Sequence, residues 1–272
     1  MMKKYNIDLR YPPEGVASDT VLLFQMLKSL DIELLAVQEI VDPPLFRDMA
    51  RRHLGPQYEF VYAPSQGWQK VGFLYNSNKL RLIGSPFIHA EVTIGKIDRL
   101  RPALRAYFKT IPDGFDFHAI VVHLKSAPAG YDQRIQQWIQ LEKILEELPQ
   151  LEHRDADVIL LGDFNDTSEN GYNEFLPILQ RHKYYWFGIE DSTLLSNYWR
   201  PDWTQPEIHG SIIDQIFMSN ESKIEYVEGS TRTGGLCADG QKVISGEFPE
   251  YYLRISDHCP VFASFRAFPD DD

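Results

Sequence analysis

Residues 157–166 constrain the fold more than any other stretch of the chain. They read Asp-Val-Ile-Leu-Leu-Gly-Asp-Phe-Asn-Asp. The four apolar residues 158–161, bounded by an aspartate and a glycine, predict a short strand buried on both faces, although periodicity alone does not exclude a buried helix. Asp163 and Asn165 follow two positions apart, so in an extended segment their side chains point the same way. This pair is either part of a site at a strand end or an ordinary turn that bonds its own backbone.

Predicted strands and helices alternate along the rest of the chain. Alternating or continuous apolar runs predict strands at residues 5–9, 34–37, 58–62, 71–75, 100–110, 115–122, 212–218 and 261–265. Helical spacing of apolar residues predicts helices at residues 19–30, 45–54 and 131–148. Residues 168–210 and 228–250 are predicted to be long loops because they are rich in aromatic residues, proline or glycine. The alternation favours a layered α/β fold in which two sheets face each other and helices lie outside.

Length and composition favour a single domain. The 272 residues fit one large or two ordinary domains, and a hydrophobic fraction of 43% is sufficient for a core. We expect one domain over residues 1–268 and a disordered tail at 269–272. No apolar run approaches the length of a membrane span, and the N-terminal residues lack an apolar signal core. We therefore expect a soluble monomer without a signal peptide.

The charge of the chain limits its partners. A formal net charge of −12 argues against indiscriminate electrostatic binding to nucleic acid and against binding to an acidic membrane surface. Stable, high-affinity binding to duplex DNA is therefore not expected. A phosphate substrate is still compatible with this charge, because a bound divalent cation can invert the local field of an acidic site.

The chain has two cysteines, Cys237 and Cys259, which are too few for a disulfide scaffold or a zinc cluster. They either pair in an oxidising compartment or remain as two free thiols in the core. Their small number favours free thiols and leaves the cellular compartment open.

Polar side chains collect at the predicted strand ends. They are Asn6, Glu39, His123, Asp163, Asn165, Asp257 and His258, and Asp214 interrupts an otherwise apolar strand. Each has a structural explanation on its own, since such residues often form hydrogen bonds with the backbone of a loop or cap a helix. Together they predict a cleft that contains several carboxylates and two imidazoles. Carboxylate and amide oxygens suit Mg²⁺ or Mn²⁺, whereas no Cys or His spacing suits zinc, so the implied chemistry is metal-assisted hydrolysis of a phosphoester.

Six short motifs occur in the order and approximate spacing of one known family. They are Asn6, Gln38-Glu39, His123-Leu124-Lys125-Ser126, Gly162-Asp163-Phe164-Asn165, Ile213-Asp214 and Ser256-Asp257-His258-Cys259-Pro260. Over residues 5–266 the chain resembles the endonuclease/exonuclease/phosphatase superfamily, and in particular its deoxyribonuclease I-like members. The resemblance implies an α/β fold, a four-layer α/β/β/α sandwich with two mixed β-sheets. It also implies one active site at the sheet edge, with Mg²⁺ or Mn²⁺ as cofactor.

The resemblance implies a role for each polar residue of the first motifs. Glu39 resembles the main metal ligand, with Asn6 beside it and Asp257 contributing directly or through water. Asp163 resembles the carboxylate that orients or deprotonates the attacking water. Asn165 resembles the amide that holds a phosphate oxygen.

Two histidines and two arginines complete the implied site. His258, paired with Asp214, resembles an imidazole that activates water or stabilises the charged transition state, and the carboxylate is expected to raise its pKa. His123 resembles the second imidazole of the deoxyribonuclease I, deadenylase and sphingomyelinase branches, which abasic-site endonucleases of the exonuclease III type lack. Arg101 matches an arginine that contacts substrate phosphate, and Arg105 is expected to assist it.

The chain departs from the family pattern at two positions. Gln215 follows Asp214 where many relatives carry a histidine, which is expected to change a neighbouring hydrogen bond rather than the chemistry. Gln69 lies in a segment where relatives often place a glutamate that supports the first histidine. His123 is therefore expected to be less basic in this chain.

The substrate is less constrained than the mechanism, because one core serves many functions. A phosphodiesterase is expected, and non-specific cleavage of DNA is favoured, with modest affinity from phosphate contacts by Arg99, Arg101, Arg105 and Lys125. The aromatic residues between 184 and 203 could stack bases, but packing of long loops is the preferred explanation. The alternatives are a phospholipid or small-molecule phosphoesterase, of the sphingomyelinase or inositol-phosphatase type, and a non-catalytic binding module on the same fold.

Overall fold

The computed structural model describes residues 18–148, 157–166, 169–186, 194–202 and 204–268. In this part of the chain two β-sheets lie face to face, and helices pack on the outer surface of each sheet. Asn6 and the predicted strand at residues 5–9 lie outside the described residues, and so does the predicted tail at 269–272.

The smaller sheet carries two helices on its outer face. Its elements in chain order are α1 (Thr20–Ser29), β1 (Leu34–Ile40), α2 (Pro43–His53), β2 (Tyr58–Tyr62) and β3 (Lys70–Asn76). Within the described residues the strand order is β1-β3-β2, and both pairings are antiparallel. Each helix begins after an aspartate, Asp19 or Asp42, whose carboxylate accepts an amide hydrogen of the first turn. Phe24 and Leu74 lie in the apolar core between these helices and the sheet.

The larger sheet contains six strands within the described residues. They are β4 (Leu80–His89), β5 (Ala103–Thr110), β6 (Asp116–His123), β7 (Val158–Asp163), β8 (Tyr184–Trp186) and β11 (Asp214–Ser219). Their order in the sheet is β4-β5-β6-β7-β11-β8. The sheet is mixed, because β6 and β7 are parallel and the other pairings are antiparallel. A parallel pair requires a crossover connection, and α3 (Tyr131–Glu147) lies in it.

Alternate residues of the larger sheet face two different cores. Leu104 of β5 points toward the smaller sheet and lies in the same core as Phe73. On the opposite face, Ile120 of β6 lies in a core with Trp138 of α3 and with α4 (Glu169–Arg181). The order of layers is therefore helix, sheet, sheet and helix, which confirms the predicted four-layer α/β/β/α fold.

The longest described helix, α3, is amphipathic. It buries Trp138, Leu141 and Ile144 against the larger sheet, whereas Ile139, which helical spacing places on the same apolar stripe, is 43% exposed. The helix contains 17 residues. In the part of the chain that the structure describes, no helix combines the length and the apolar character needed to cross a membrane.

A third group of short elements packs as a separate apolar cluster. Its strands are β9 (Asn197–Trp199), β10 (Glu207–Ser211) and β13 (Val243–Ser245), and its helix is α5 (Glu250–Arg254). Beside it, β12 (Arg232–Thr233) pairs with β14 (Val261–Phe262), and Val261 packs against the core between the two main sheets. Tyr198, Ile208 and Tyr252 lie in the apolar core of this group. The group also carries the segment that contains Asp257 and His258, between α5 and β14.

Cys237 and Cys259 form a disulfide in this third group, so the prediction of two free thiols is wrong. Their Cα atoms lie 6.0 Å apart although the residues are 22 positions apart in the chain, and a disulfide can span that distance. Both side chains are buried in the same apolar core. The number of cysteines could not reveal this pairing, because the two loops meet only in the folded chain.

The prediction of a long loop at residues 168–210 is also wrong. The segment contains α4, β8, β9 and β10. Pro177 lies inside α4, although a proline usually ends a helix. Asp214 is the first residue of β11 rather than an interruption in the middle of a strand.

Strand β4 does not appear among the predicted strands. Gly84 and Pro86 break its apolar pattern, and the register of its pairing with β5 shifts between Ile83 and Phe87. The strand forms nevertheless because β5 supplies a complete antiparallel partner on either side of this irregularity.

The end of β7 requires a glycine at position 162. The backbone of Gly162 has a φ of +132°, which L side chains rarely adopt. A Cβ atom at this position would also collide with the carbonyl oxygen of Val122 on β6. This close approach accompanies the register that places His123 opposite Asp163.

We expect Gly162→Ala to destabilise the protein more than Gly84→Ala does. Both glycines have positive φ, but a Cβ atom at Gly84 meets no atom within 4 Å. Gly84→Ala therefore measures the backbone cost alone, about 1 kcal/mol, whereas Gly162→Ala adds a collision and should cost at least about 3 kcal/mol. Urea unfolding of both variants measures the difference, and equal losses would contradict the close approach of β6 and β7.

Removal of the disulfide should lower the free energy of unfolding. For a separation of 22 residues, loss of the cross-link is expected to cost about 3 kcal/mol, because the unfolded chain gains entropy. The measurement is urea unfolding of Cys237→Ala/Cys259→Ala beside the oxidised wild type. Equal stability of the two proteins would show that the cysteines are not paired in solution.

Candidate active site

Three neighbouring strands of the larger sheet place three of the predicted site residues side by side. His123 at the end of β6 lies opposite Asp163 at the end of β7, and Asp163 lies opposite Asp214 at the start of β11. The antiparallel pairing of β7 and β11 brings the end of one strand to the start of the other. His123 Nε2 lies 3.3 Å from Asp163 Oδ2. This edge of the sheet therefore gathers two carboxylates and one imidazole.

Asn165 folds back onto Asp163. Its backbone amide and its side-chain amide donate hydrogen bonds to the two carboxylate oxygens of Asp163, at 2.9 and 2.6 Å. The side-chain amide also donates to the carbonyl oxygen of Leu124 at 3.2 Å. The predicted turn is therefore present, and it fixes the carboxylate of Asp163 at the sheet edge. A phosphate oxygen could accept from this amide only by replacing one of these acceptors.

His258 forms a couple with Asp214. Its Nδ1 lies 2.8 Å from Asp214 Oδ2, so the carboxylate accepts a hydrogen bond from the imidazole. About a third of the His258 side chain is exposed, at 31%, whereas that of Asp214 is 14% exposed. The imidazole is therefore open to a substrate while the carboxylate that orients it is mostly covered.

Ser196 joins the two segments that carry this couple. Its hydroxyl oxygen accepts the amide hydrogens of Ile213 and Asp214, at 2.9 and 2.8 Å. Its carbonyl oxygen accepts the amide hydrogen of Cys259 at 2.7 Å, next to His258 in the chain. No sequence pattern indicates Ser196, because a single serine in an aromatic-rich segment has no distinctive spacing.

Glu39 lies at a distortion of β1. The pairing with β3 shifts register between Val37 and Ile40, and Glu39 has a φ of +61°. A non-glycine residue in this conformation costs about 1–3 kcal/mol, and such residues cluster at functional sites. Glu39 Oε1 lies 3.9 Å from His123 Nε2, and its side chain is 41% exposed. The carboxylate thus faces the sheet edge and is open to a ligand.

The two imidazoles are driven toward opposite protonation states. Burial and the positive charges of Arg101 and His258 lower the pKa of His123 well below its ordinary value. Burial also lowers the pKa of His258, but the carboxylates of Asp214 and Asp257 outweigh this effect and raise the pKa well above its ordinary value. At neutral pH the structure therefore favours a neutral His123 and a charged His258. Titratable groups whose pKa values are moved apart are typical of acid–base sites.

The carboxylates of the site disfavour one another's charge. Burial and the negative charge of Asp214 raise the pKa of Asp163. Burial raises the pKa of Asp257 to about 6. The positive charge of His258 lowers this pKa by less than burial raises it, and the negative charge of Glu39 raises it further. Crowded carboxylates of this kind gain stability from a positive counter-charge, and their oxygen atoms suit a hard divalent cation.

The predicted metal ligands lie partly within the described residues. Glu39 and Asp257 are close enough for their charges to interact, and Asn6 lies outside the described residues. Among the described residues, one group of three acidic or imidazole side chains has ligand atoms within 4.8 Å of one another, and it is Glu142, Glu146 and His182. Glu142 accepts hydrogen bonds from the guanidinium of Arg181, so a positive charge already lies against this group.

The two predicted phosphate-binding arginines lie in different surroundings. The guanidinium of Arg101 donates to the side-chain carbonyl of Gln69, and its charge interacts with Glu39, so it belongs to the candidate site. Arg105 lies inside β5, with its guanidinium 5.4 Å from the centre of the Phe87 ring. The structure therefore brings Arg101, but not Arg105, to the sheet edge.

Comparison with known proteins identifies one family and several similar structures. The model of the Endonuclease/Exonuclease/phosphatase family matches residues 5–258. D. rerio TDP2 complexed with single-strand DNA product is 14% identical, with a TM-score of 0.64 and coverage of 91% of both chains. Bacteroides thetaiotaomicron mannosyl-6-phosphatase is 19% identical, with a TM-score of 0.59 and coverage of 90% of both chains.

A third similar structure is the human Nocturnin catalytic domain with a bound sulfate anion. It is 15% identical, with a TM-score of 0.59, and the match covers 90% of this chain and 86% of that one. At such identities the likeness shows the fold alone. A search of curated proteins finds no match to the chain.

Asp214→Asn should lower the pKa of His258, because asparagine removes the negative charge that raises it. The imidazole of the variant should therefore lose its proton at a lower pH than that of the wild type. An NMR titration of the histidine resonances in chelator measures both pKa values. Asp239→Asn removes an exposed carboxylate and is the matched control, and a His258 pKa unchanged by Asp214→Asn would show that the couple is absent in solution.

Proposed function

This chain belongs to the endonuclease/exonuclease/phosphatase family, and we propose that it hydrolyses phosphodiesters with the help of a divalent metal ion. Members of the family are generally phosphoester hydrolases and are typically dependent on divalent metals. The observation that carries the proposal is one sheet edge that holds the His258–Asp214 couple, the Asp163–Asn165 pair and Glu39. A module that only binds a partner does not require this combination of groups.

The residues of this edge have complementary tasks in hydrolysis. A water oxygen attacks phosphorus, the bond to the leaving oxygen breaks, and a proton from the water ends on the leaving group. The hydrogen bonds from Asn165 fix the carboxylate of Asp163, which supports a role for Asp163 in orienting the water or accepting its proton. His258, kept charged by Asp214, stabilises the negative charge that develops on the phosphoryl oxygens. His123, whose pKa is lowered, would supply a neutral imidazole beside Asp163, because its Nε2 lies 3.3 Å from Asp163 Oδ2.

The donor set fits a hard cation. Glu39 and Asp257 would hold the ion, together with Asn6, which lies outside the described residues. Burial raises the pKa of Asp257, so a bound cation would favour the charged form of this carboxylate. When bound, such an ion neutralises charge on the phosphoryl oxygens and polarises the phosphorus centre.

DNA is the substrate that we favour. A structural neighbour, D. rerio TDP2, is described in complex with a single-strand DNA product. The charge of Arg101 interacts with Glu39 and Asp163, which supports a phosphate contact by this arginine. The phosphatase among the neighbours is named as a mannosyl-6-phosphatase. A small-molecule or phospholipid phosphoesterase is therefore the second candidate, and the net charge of −12 favours it over tight duplex binding.

Glu39→Ala is expected to abolish detectable turnover while the fold persists. Alanine meets the same backbone cost at positive φ as glutamate does, so the variant should remain as stable as the wild type. The measurement is nicking of plasmid DNA and hydrolysis of bis(p-nitrophenyl) phosphate, each with Mg²⁺, with Mn²⁺ and with excess chelator. Wild-type activity should be lost in chelator.

Glu33→Ala is the matched control for Glu39→Ala. Glu33 is an exposed acidic residue that directly precedes β1, with a side chain 60% exposed, and its removal should leave turnover unchanged. Wild-type rates in Glu39→Ala would remove this carboxylate from the mechanism. Full activity of the wild type in chelator would refute the metal-dependent mechanism.

Asp214→Asn should lower kcat by roughly 10²–10³-fold, the contribution of one group that stabilises charge in the transition state. The reason is that asparagine cannot hold His258 in its charged form. The measurement uses bis(p-nitrophenyl) phosphate at saturating concentration, with Asp239→Asn as the control. An unchanged kcat would show that the couple takes no part in the chemistry.

A further inference from the structure

A basic pocket opens beside the candidate active site. Its volume is about 430 Å³. Of the described residues that line it, four are positively charged, and they are Lys96, Arg99, Arg101 and Lys125. None of the described lining residues is acidic, although the chain as a whole carries a net charge of −12. The pocket is therefore a local exception to the charge of the protein.

Arg101 connects the pocket with the catalytic edge. It lines the pocket, and its charge acts on Glu39 and on His123. Lys125 lies two residues after His123, on the segment that leaves the sheet at that edge. A ligand group in the pocket is therefore a near neighbour of a phosphate at the active site.

The pocket wall that carries Lys125 is held in place by two buried side chains. Gln137 accepts the amide hydrogen of Lys125 at 2.9 Å. Arg134 donates to the carbonyl oxygens of Lys125 and Ala127, at 2.8 Å in both cases. Gln137 is 0% exposed and Arg134 is 3% exposed. This wall is rigid before a ligand arrives, which reduces the entropy lost on binding.

Two of the positive charges of the pocket, those of Arg99 and Lys125, are only weakly compensated. Arg99 lies 3.6 Å from Asp98, but both side chains are mostly exposed, at 81% and 66%, and such a pair contributes little. Burial and the positive charges of Arg101 and Arg134 lower the pKa of Lys125. An anion in the pocket would relieve this repulsion.

We propose that the pocket binds a second phosphate group of the substrate, next to the phosphodiester that is cleaved. This inference rests on the proposed function, because it takes the catalytic edge as the place where the first phosphate binds. Lysine and arginine recognise phosphate through charge-assisted hydrogen bonds. The preferred substrate thus carries at least two phosphates, in a nucleic-acid strand or in a small molecule.

The test compares thymidine dinucleotides that differ by one phosphate. The probes are dTpdT, which has a single phosphodiester, and its 5′-phosphorylated and 3′-phosphorylated forms. We expect a terminal phosphate at one of the two ends to raise kcat/KM with Mg²⁺ about tenfold, a change equivalent to about 1.4 kcal/mol. Calorimetry in chelator should show a similar gain in affinity, and it requires no turnover.

Lys96→Ala/Arg99→Ala is the variant that tests the pocket. Both side chains are exposed at its rim, so the fold should tolerate the change. The ratio of kcat/KM for the phosphorylated and unphosphorylated dinucleotides should fall from about ten to about one. Lys28→Ala/Arg52→Ala removes the same charge from exposed positions on α1 and α2 and should keep the wild-type ratio.

The outcomes separate the pocket from the proposed function. A wild type without preference for either phosphorylated dinucleotide, or a Lys96→Ala/Arg99→Ala variant that keeps the preference, refutes the phosphate subsite. Absence of turnover of every probe refutes the proposed function, and the affinities in chelator then decide the subsite alone. Competition by 1,3-propanediol bisphosphate supports a small-molecule source of the second phosphate, whereas competition by oligothymidylate alone supports a strand.

Discussion

The backbone pairing of β6, β7 and β11 is the constraint on which the candidate site depends. Hydrogen bonds between these strands put His123, Asp163 and Asp214 at one level of the sheet edge. A slip of one residue would turn every side chain of a strand to the other face, and the two apolar cores on either side of the sheet forbid it. Gly162 allows β7 to approach β6 closely, since a Cβ atom at position 162 would collide with the backbone of Val122.

The other half of the site comes from segments that lie outside this sheet. Ser196 links the start of β11 to the segment of His258, because its hydroxyl accepts the amide hydrogen of Asp214 and its carbonyl oxygen accepts that of Cys259. The Cys237–Cys259 disulfide anchors that segment in its own apolar core. The couple with Asp214 is therefore held from two sides. Its charged imidazole can stay fixed while the exposed face meets a substrate.

The site and the basic pocket carry opposite charges at a short distance. The crowded carboxylates suit a divalent cation, and the positive charges of Arg101 and Lys125 suit phosphate oxygens. The core of the fold is shared with neighbours that are described with DNA or named for a sugar phosphate, so substrate choice depends on the loops around the edge. Among the described residues, the segment that carries Lys96 and Arg99 contributes two of the positive charges of the basic pocket.

The sequence by itself determined the layered α/β fold and most strands and helices, because burial of one face gives strands and helices characteristic spacings of apolar residues along the chain. It also pointed to the strand-end residues, since charged groups beside buried strands require partners. Only the tertiary structure decided that Arg105 lies apart from Arg101, that the two cysteines pair, and that Ser196 supports the couple. Each of these depends on contacts between segments distant in the chain, and such contacts follow from packing rather than from local pattern.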